Sequence, residues 1–340
     1  MALAEFAEAT GPSGSAASAI SSDPDYAAGG VCRESGREIP LDLSLRLCEN
    51  SFVKPRTQAV ILAALLAGCG GSDDEDVFVP PPDPVCPPST ADRRYIAFSG
   101  YCWEVRKTSQ PQAAGPNYYS NDERDVWVDA DRKLHIRISY RDGKWNCAEI
   151  FAGGFGYGTY TFRIGTPADV LDRNAVLGLF TWDDACFETG ALSELDIELT
   201  KWGGFFNNLH YSVQPTHGPD TEEGWYPERS ESTFISLAGD TRSTHAFTWA
   251  RGYVNFASYQ GHAVSDDRLI ASWQFLSSNP ARRADTTTLS TPVVIPSPSA
   301  TTTARISLWL YDNDKDGVSD PPAGGQEIEV IVDSFQYEPL

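Results

Sequence analysis

Glu194-Leu195-Asp196-Ile197-Glu198-Leu199-Thr200 alternates between polar and aliphatic residues at every step. A period of two is that of a β-strand, whose successive side chains point to opposite faces, and it fits no helical repeat. Leu195, Ile197 and Leu199 therefore belong to a core face, and Glu194, Asp196 and Glu198 line up on the other. Three like charges on one face of one strand repel one another and lower stability, which points to chemistry rather than to structure. Acids make up 47 of the 340 residues, so three at these offsets arise by chance about once in a chain of this length. Context has to supply the remaining weight.

Outward from this stretch the same alternation recurs at 125–129, 134–140, 158–164, 195–200, 209–213, 245–249, 253–259, 304–311 and 327–337. These segments are rich in Val, Ile, Thr, Tyr, Phe and Trp and are separated by Gly, Pro, Asn and Asp. No stretch keeps a helical period over three turns. Parallel sheets need crossover helices, so about a dozen strands without them predict an all-β fold, an antiparallel two-sheet β-sandwich or a barrel, in one domain over 91–340. Residues 279–303, rich in Thr, Ser and Pro, are predicted as a long irregular excursion.

The composition, 41% hydrophobic and 21% charged, is that of a globular chain. A formal charge of −21 repels phosphate backbones and anionic lipid surfaces and excludes nucleic acid as a partner. Nine Trp, 14 Tyr and 16 Phe are enough for a core with some left over for an aromatic-lined surface.

The first ninety residues carry addressing rather than fold. Lys54 and Arg56 precede an apolar run from Ala59 to Ala67 that ends in Leu66-Ala67-Gly68-Cys69. A basic start, about ten apolar residues and a small-residue cleavage site make an export signal over 53–68, too short to span a bilayer. The last four residues resemble the bacterial lipobox, which implies lipidation at Cys69. Residues 1–52, rich in Gly, Ala and Ser, stand too far upstream of such a signal, and translation is expected to start near Val53. Between Cys69 and residue 90 an acidic run is followed by six prolines, a composition that buries nothing and predicts a solvated tether. Cys86, Cys102, Cys147 and Cys186 remain downstream; in an oxidising compartment they allow two disulfides in three connectivities, with no choice among them.

Across most of residues 95–340 the chain resembles glycoside hydrolase family 16, retaining endoglycanases on a concanavalin-like jelly roll. The residues that carry the resemblance are Cys147-Ala148-Glu149, Tyr157 to Arg163, Leu179-Phe180-Thr181-Trp182, the acidic strand itself, His245 to Trp249 and Leu308-Trp309. It implies Glu194 as nucleophile, Asp196 as assisting carboxyl and Glu198 as general acid and base. Retaining hydrolysis needs two carboxyls about 5.5 Å apart across the glycosidic bond, one ionised and one protonated. Two Glu at i and i+4 of a strand, with Cα atoms roughly 13 Å apart, can lean together to close most of that gap. A carboxyl between them pushes one pKa up and keeps an acid protonated near neutral pH.

Around this motif, Asn117 and Glu149 resemble family positions that bind sugar hydroxyls. Asn208, His210 and Ser212 alternate out of the core on one strand, and Ser307 and Trp309 do so on another. Trp182, Trp202 and Trp309 are the candidate stacking platforms for sugar rings, although each is as readily a core residue, and His210 is more readily a structural histidine. Two positions depart from the lichenase branch: Leu192 stands where a tryptophan is expected and Phe151 where an arginine is expected. With no basic residues evident around the motif to grip sulfate, a neutral glucan or galactan is favoured.

Asp312-Asn313-Asp314-Lys315-Asp316-Gly317-Val318-Ser319-Asp320 spaces oxygen ligands as a calcium loop does, with Asp312, Asp314, Asp316 and Asp320 as ligands, but it lacks the twelfth-position Glu. A plain acidic loop competes with a structural calcium site. No cofactor is required for the expected chemistry.

Two function classes follow. One is an exported, lipid-anchored, monomeric endoglycanase acting on a β-linked polysaccharide at a bacterial membrane, in the outer membrane or at the cell surface. The alternative is a non-catalytic, lectin-like carbohydrate-binding surface lipoprotein that keeps the groove without turnover. Structural adhesion through the loop and stalk has less behind it.

Overall fold

The computed structural model describes residues 78–184, 194–214, 216, 229–276 and 295–340. The described residues form one compact unit. The expected extension, the export signal, Cys69, Cys186 and Leu192 lie outside them.

Sixteen strands are described, and all their pairings but one are antiparallel. One layer is built from β1 (Arg94–Phe98), β2 (Tyr101–Val105), β6 (Lys144–Gly153), β8 (Ala175–Trp182), β9 (Leu195–Thr200), β10 (Leu209–Val213), β11 (Ser230–Thr233) and β15 (Thr303–Leu310). Across it the order is β11-β10-β9-β8-β15-β6-β2-β1. The other layer holds β4 (Val126–Val128), β5 (Leu134–Arg141), β7 (Gly158–Ile164), β12 (Ser243–Ala250), β13 (Tyr253–Gln260), β14 (Leu269–Leu276) and β16 (Ile328–Pro339), in the order β4-β5-β16-β7-β12-β13-β14. The short β3 (Tyr118–Tyr119) pairs in parallel with β6. The expected antiparallel sandwich is what forms.

The layers are joined where β6 changes partner, from β5 at Lys144–Asn146 to β15 from Ala148 onward. The hairpin that makes this turn possible has two loop residues, Asp142 and Gly143, both at positive φ (53° and 77°). That is the geometry Asp-Gly favours in tight hairpins, because its twist matches that of the strands.

Between the layers, Leu195, Ile197 and Leu199 are fully buried, as the alternation predicts. Aromatic rings carry the packing across: Tyr160 stacks on Phe247 at 4.6 Å, Phe247 meets Phe256 at 5.9 Å, and Phe256 stacks on Tyr211 of β10 at 5.1 Å. Buried indole N–H groups find acceptors, Trp103 on Phe98 O at 3.0 Å and Trp249 on Pro296 O at 2.9 Å, so these large side chains enter the core without an orphaned donor.

The proline-rich stretch departs from a free tether. Arg132 donates to Pro81 O (2.9 Å) and to Asp83 Oδ2 (3.2 Å), Gly100 N donates to Asp83 Oδ1 (3.0 Å), and Cys86 is disulfide-bonded to Cys102 of β2. Residues 81–86 are therefore strapped to the domain, because Asp83 and Cys86 supply contacts that the prolines cannot. Cys147 is a free, buried thiol, so it forms neither of the disulfides its number allowed.

Candidate active site

Residues directly opposite each other in neighbouring strands share a face, so the strand register gives the site. Through Glu198 runs the row Ser232, His210, Glu198, Gly178, Ser307, Glu149. Through Asp196 runs Ser230, Ser212, Asp196, Phe180, Arg305, Phe151. Trp182, Asn208 and Trp309 belong to the same face by alternation. One surface of one layer thus gathers the three acids with Glu149, Trp182, Asn208, His210, Ser307 and Trp309, all named from sequence.

The acids do not stand out in solvent as an outer face would have them. Glu194 is 2% exposed, Asp196 1% and Glu198 5%. Central strands hem in β9 on both sides, and the face carries Phe180, Trp182, Gln214 and Arg305. Burial and mutual repulsion act together on the three. Glu194 is raised well above its ordinary value by burial first, then by the charges of Asp196 and Glu198. Glu198 is pushed up to about 8 by burial and by Asp196. For Asp196 burial is opposed by hydrogen bonds from Gln214 and with Glu194, leaving its pKa at about 6. Glu194 and Glu198 are pushed toward their protonated forms, and Asp196, with its hydrogen-bond donor, ionises most readily of the three. Glu194 Oε1 and Asp196 Oδ1 are buried with no hydrogen-bond partner, a costly state that a polar ligand would relieve.

Glu149, on the same face, behaves oppositely. It is 1% exposed, but Arg106 Nη1 donates to its Oε2 at 2.9 Å and Arg305 Nη1 to its Oε1 at 2.8 Å. Burial pushes its pKa up, the two guanidiniums outweigh burial, and the carboxyl is held below its usual value. Arg305 lies over Phe151 (5.0 Å) and Trp182 (5.6 Å). An arginine is thus supplied by β15, cross-strand from the position where Phe151 replaces one. Basic residues do reach this face, contrary to the expectation of none, but Glu149 already pairs with both. Trp182 is part-buried, with Nε1 donating to Asp184 Oδ1 at 2.6 Å. Behind it Asp183 accepts from Ser299, Thr301 (2.8 Å) and Thr302 (3.0 Å), which ties loop 299–302 to the end of β8.

Other expected sugar contacts serve the protein itself. Asn117 Nδ2 donates to Ala114 O (2.7 Å) and Leu310 O (2.8 Å), and its Oδ1 accepts from Cys147 Sγ (3.1 Å) and Leu310 N (3.4 Å). Asn208 bonds to Asp169 O and Ile235 O, both at 2.9 Å, and accepts from Ile235 N at 2.8 Å. His210 donates from Nε2 to Thr200 O (3.1 Å), so its bare Nδ1 accepts from Ser232 Oγ (2.7 Å); burial lowers its pKa to about 4 and the ring is neutral. Trp309 is 1% exposed and packs edge-on against Trp202 at 5.9 Å. Trp202 also meets Tyr311 at 5.1 Å. Of the three tryptophans, Trp182 shares the face of the acids on neighbouring β8, with the Arg305 guanidinium over its ring.

Gln214 and Arg305, two residues of the face that bond to its carboxyls, were not named from sequence. Gln214 Nε2 donates to Asp196 Oδ2 at 3.0 Å, and Arg305 is described above. The alternation that picked out Asn208, His210 and Ser212 reaches Gln214 in one further step of two, and the one that picked out Trp309 and Ser307 reaches Arg305.

In the aspartate loop, ligand atoms of Asp312, Asp314 and Asp316 lie within 4.8 Å of one another. Asp312 also accepts from Asp316 N (3.2 Å) and Gly317 N (3.0 Å), so the loop's own amides use part of its ligand capacity. Asp320 is outside the cluster; its Oδ2 accepts from Asn313 N at 2.9 Å.

The sequence matches no known family profile, and no curated protein matches it. Among solved structures, the chain is similar to a β-glucanase of Bacillus licheniformis, with 14% identity, 74% of this chain and 100% of that one covered, and a TM-score of 0.46. It is also similar to a pseudo β-1,3-glucanase of Mycobacterium tuberculosis (16%, 70% and 91%, 0.48) and to a laminarinase from a Flavobacterium species (14%, 69% and 92%, 0.47).

Proposed function

We propose that this chain is a retaining, endo-acting glycoside hydrolase on a neutral β-linked glucan. The observation that carries the reading is the carboxyl cluster on one strand face, two of its oxygens buried without partners. A protein gains nothing in stability from such an arrangement. Glu198, protonated near neutral pH, donates its proton to the departing glycosidic oxygen. Glu194 attacks the anomeric carbon once the proton it shares with Asp196 moves onto Asp196, and the glycosyl-enzyme forms. Water, deprotonated by Glu198, then releases the sugar. Trp182 stacks a sugar ring beside the reacting bond.

The test is reducing-sugar release from laminarin, lichenan, agarose and xyloglucan, with glycan binding by Glu194→Gln measured in parallel. One feature favours a second reading, binding without turnover: burial and the neighbouring acids push Glu194 toward its protonated, non-nucleophilic form. Binding with no release from any bound glycan supports that second reading.

The proposal includes export and anchoring through a lipid on Cys69. Cys69→Ser should release the protein from membranes and abolish labelling by a fatty-acid analogue. The chemistry uses no cofactor. A calcium ion at Asp312, Asp314 and Asp316 would brace their loop, and a calcium-dependent rise in Tm that Asp314→Ala removes is the result expected.

A further inference from the structure

Gln214 directly follows β10, and its backbone N donates to Glu194 O at 3.0 Å. Its side chain lies across the acidic cluster. Nε2 donates to Asp196 Oδ2 at 3.0 Å, while Oε1 accepts from Thr216 N at 2.9 Å and Thr216 Oγ1 at 3.3 Å. A backbone N–H can only donate, so the contact to Thr216 fixes which end of the amide is oxygen and aims the NH2 at the carboxylate. The backbone beneath is clamped as well. The fully buried Arg229 donates from Nε to Val213 O at 2.7 Å and from Nη2 to Gln214 O at 2.6 Å, and its guanidinium lies over Phe275 at 5.0 Å. A buried arginine, a turn and an oriented amide thus converge on one oxygen of one acid.

We propose that Gln214 is a positioning residue of this site: a pre-aimed donor that lets Asp196 ionise while Glu194 and Glu198 remain protonated. This rests on the glycoside hydrolase reading above. Among the described residues, the remaining groups around Asp196 do not do this job. Glu194 and Glu198 on its own strand are acids, β10 offers the neutral His210 and Ser212, and β8 presents Gly178 and Phe180. On β15, Arg305 acts on Glu194 and is held by Glu149. A donor to a carboxylate favours its charged form, so losing that donor makes the cluster's first proton leave at higher pH.

Gln214→Glu keeps the oxygen that Thr216 needs and replaces the donor with an acceptor; Gln214→Leu removes both. In each variant the acidic limb of kcat/KM should move up by about one pH unit, the order of a hydrogen bond to a charged group, with KM unchanged. A limb that stays in place while Tm falls overturns the proposal and leaves Gln214 a structural residue. The same shift is read without substrate from the carboxyl titration of Asp196 in 13C-aspartate protein, its signal identified by loss in Asp196→Asn. If the wild type cleaves no glycan, the glycosidase reading falls, and an upward move of the Asp196 midpoint in both variants still sustains Gln214's role. An unmoved midpoint removes it.

Discussion

Two groups of buried carboxyls share one sheet face and have opposite electrostatic fates. On β9, Glu194, Asp196 and Glu198 have one another for neighbours, and all three are pushed toward the protonated form. On β6, three strands away, Glu149 is equally buried but stands between Arg106 and Arg305 and is held ionised. Burial alone does not decide the state of an acid; the partners within hydrogen-bond reach do. The first arrangement leaves acids poised between protonation states, and the second ties a carboxylate to two guanidiniums.

The largest effect expected from breaking this contrast is on turnover. Glu194→Gln, Asp196→Asn and Glu198→Gln should each fold and lose on the order of a thousandfold or more in kcat, since each removes a group that acts in the transition state of the proposed reaction. Reducing-sugar assays on folded variants measure this, and full activity in any one would unseat its assigned role. Next is Glu149→Gln, which leaves two guanidiniums without a counter-charge and should cost about 3 kcal/mol at neutral pH in urea unfolding. Because Glu149 is held below its ordinary value, its stabilisation is present above that value and fades as pH falls, so the gap to wild type should narrow in acid.

Glu198 should show the reverse sign. Its protonated form is favoured in the fold, so the stabilisation is complete below its unfolded value of 4.5 and is lost as pH rises to about 8. Glu198→Gln should match wild-type stability at pH 4 and exceed it by about 2 kcal/mol at pH 8. Thermal melts at the two pH values distinguish the sign. The smallest effect expected is that of Trp182→Ala, which should raise KM about tenfold with little change in kcat, because stacking on a ring is lost equally from ground and transition states.

How far the sequence reached follows the same physics. Strands with one wet or polar face alternate and were visible, β7 at Gly158–Ile164 and β10 at Leu209–Val213 to the residue. β8, Ala-Val-Leu-Gly-Leu-Phe-Thr-Trp, is buried along nearly its whole length; its apolar run hides the period, and only the resemblance located part of it. The edge strand β14 does alternate, Trp273 and Phe275 packing inward in turn with Ser272 and Gln274, but over too few residues to stand out. Within the site, alternation placed the acids and their face-mates correctly because the register of a sheet carries it from strand to strand. It could not tell that the amides of Asn117 and Asn208 close on backbone groups far away in sequence, or that Arg305 pairs with Glu149, since those contacts are made by folding and leave no local trace.

The Cys86–Cys102 bond bears on mechanics. A pull applied along the chain from before Cys86 enters the fold covalently at Cys102, inside β2, and bypasses the backbone ladder that β1 forms with β2. Hydrogen bonds peeled one at a time from a strand end yield at low force, whereas a covalent link into a strand also held by β6 loads the sheet in shear. A molecule moored upstream while its groove grips a long, drifting polymer would meet drag at that link, two strands from Arg305.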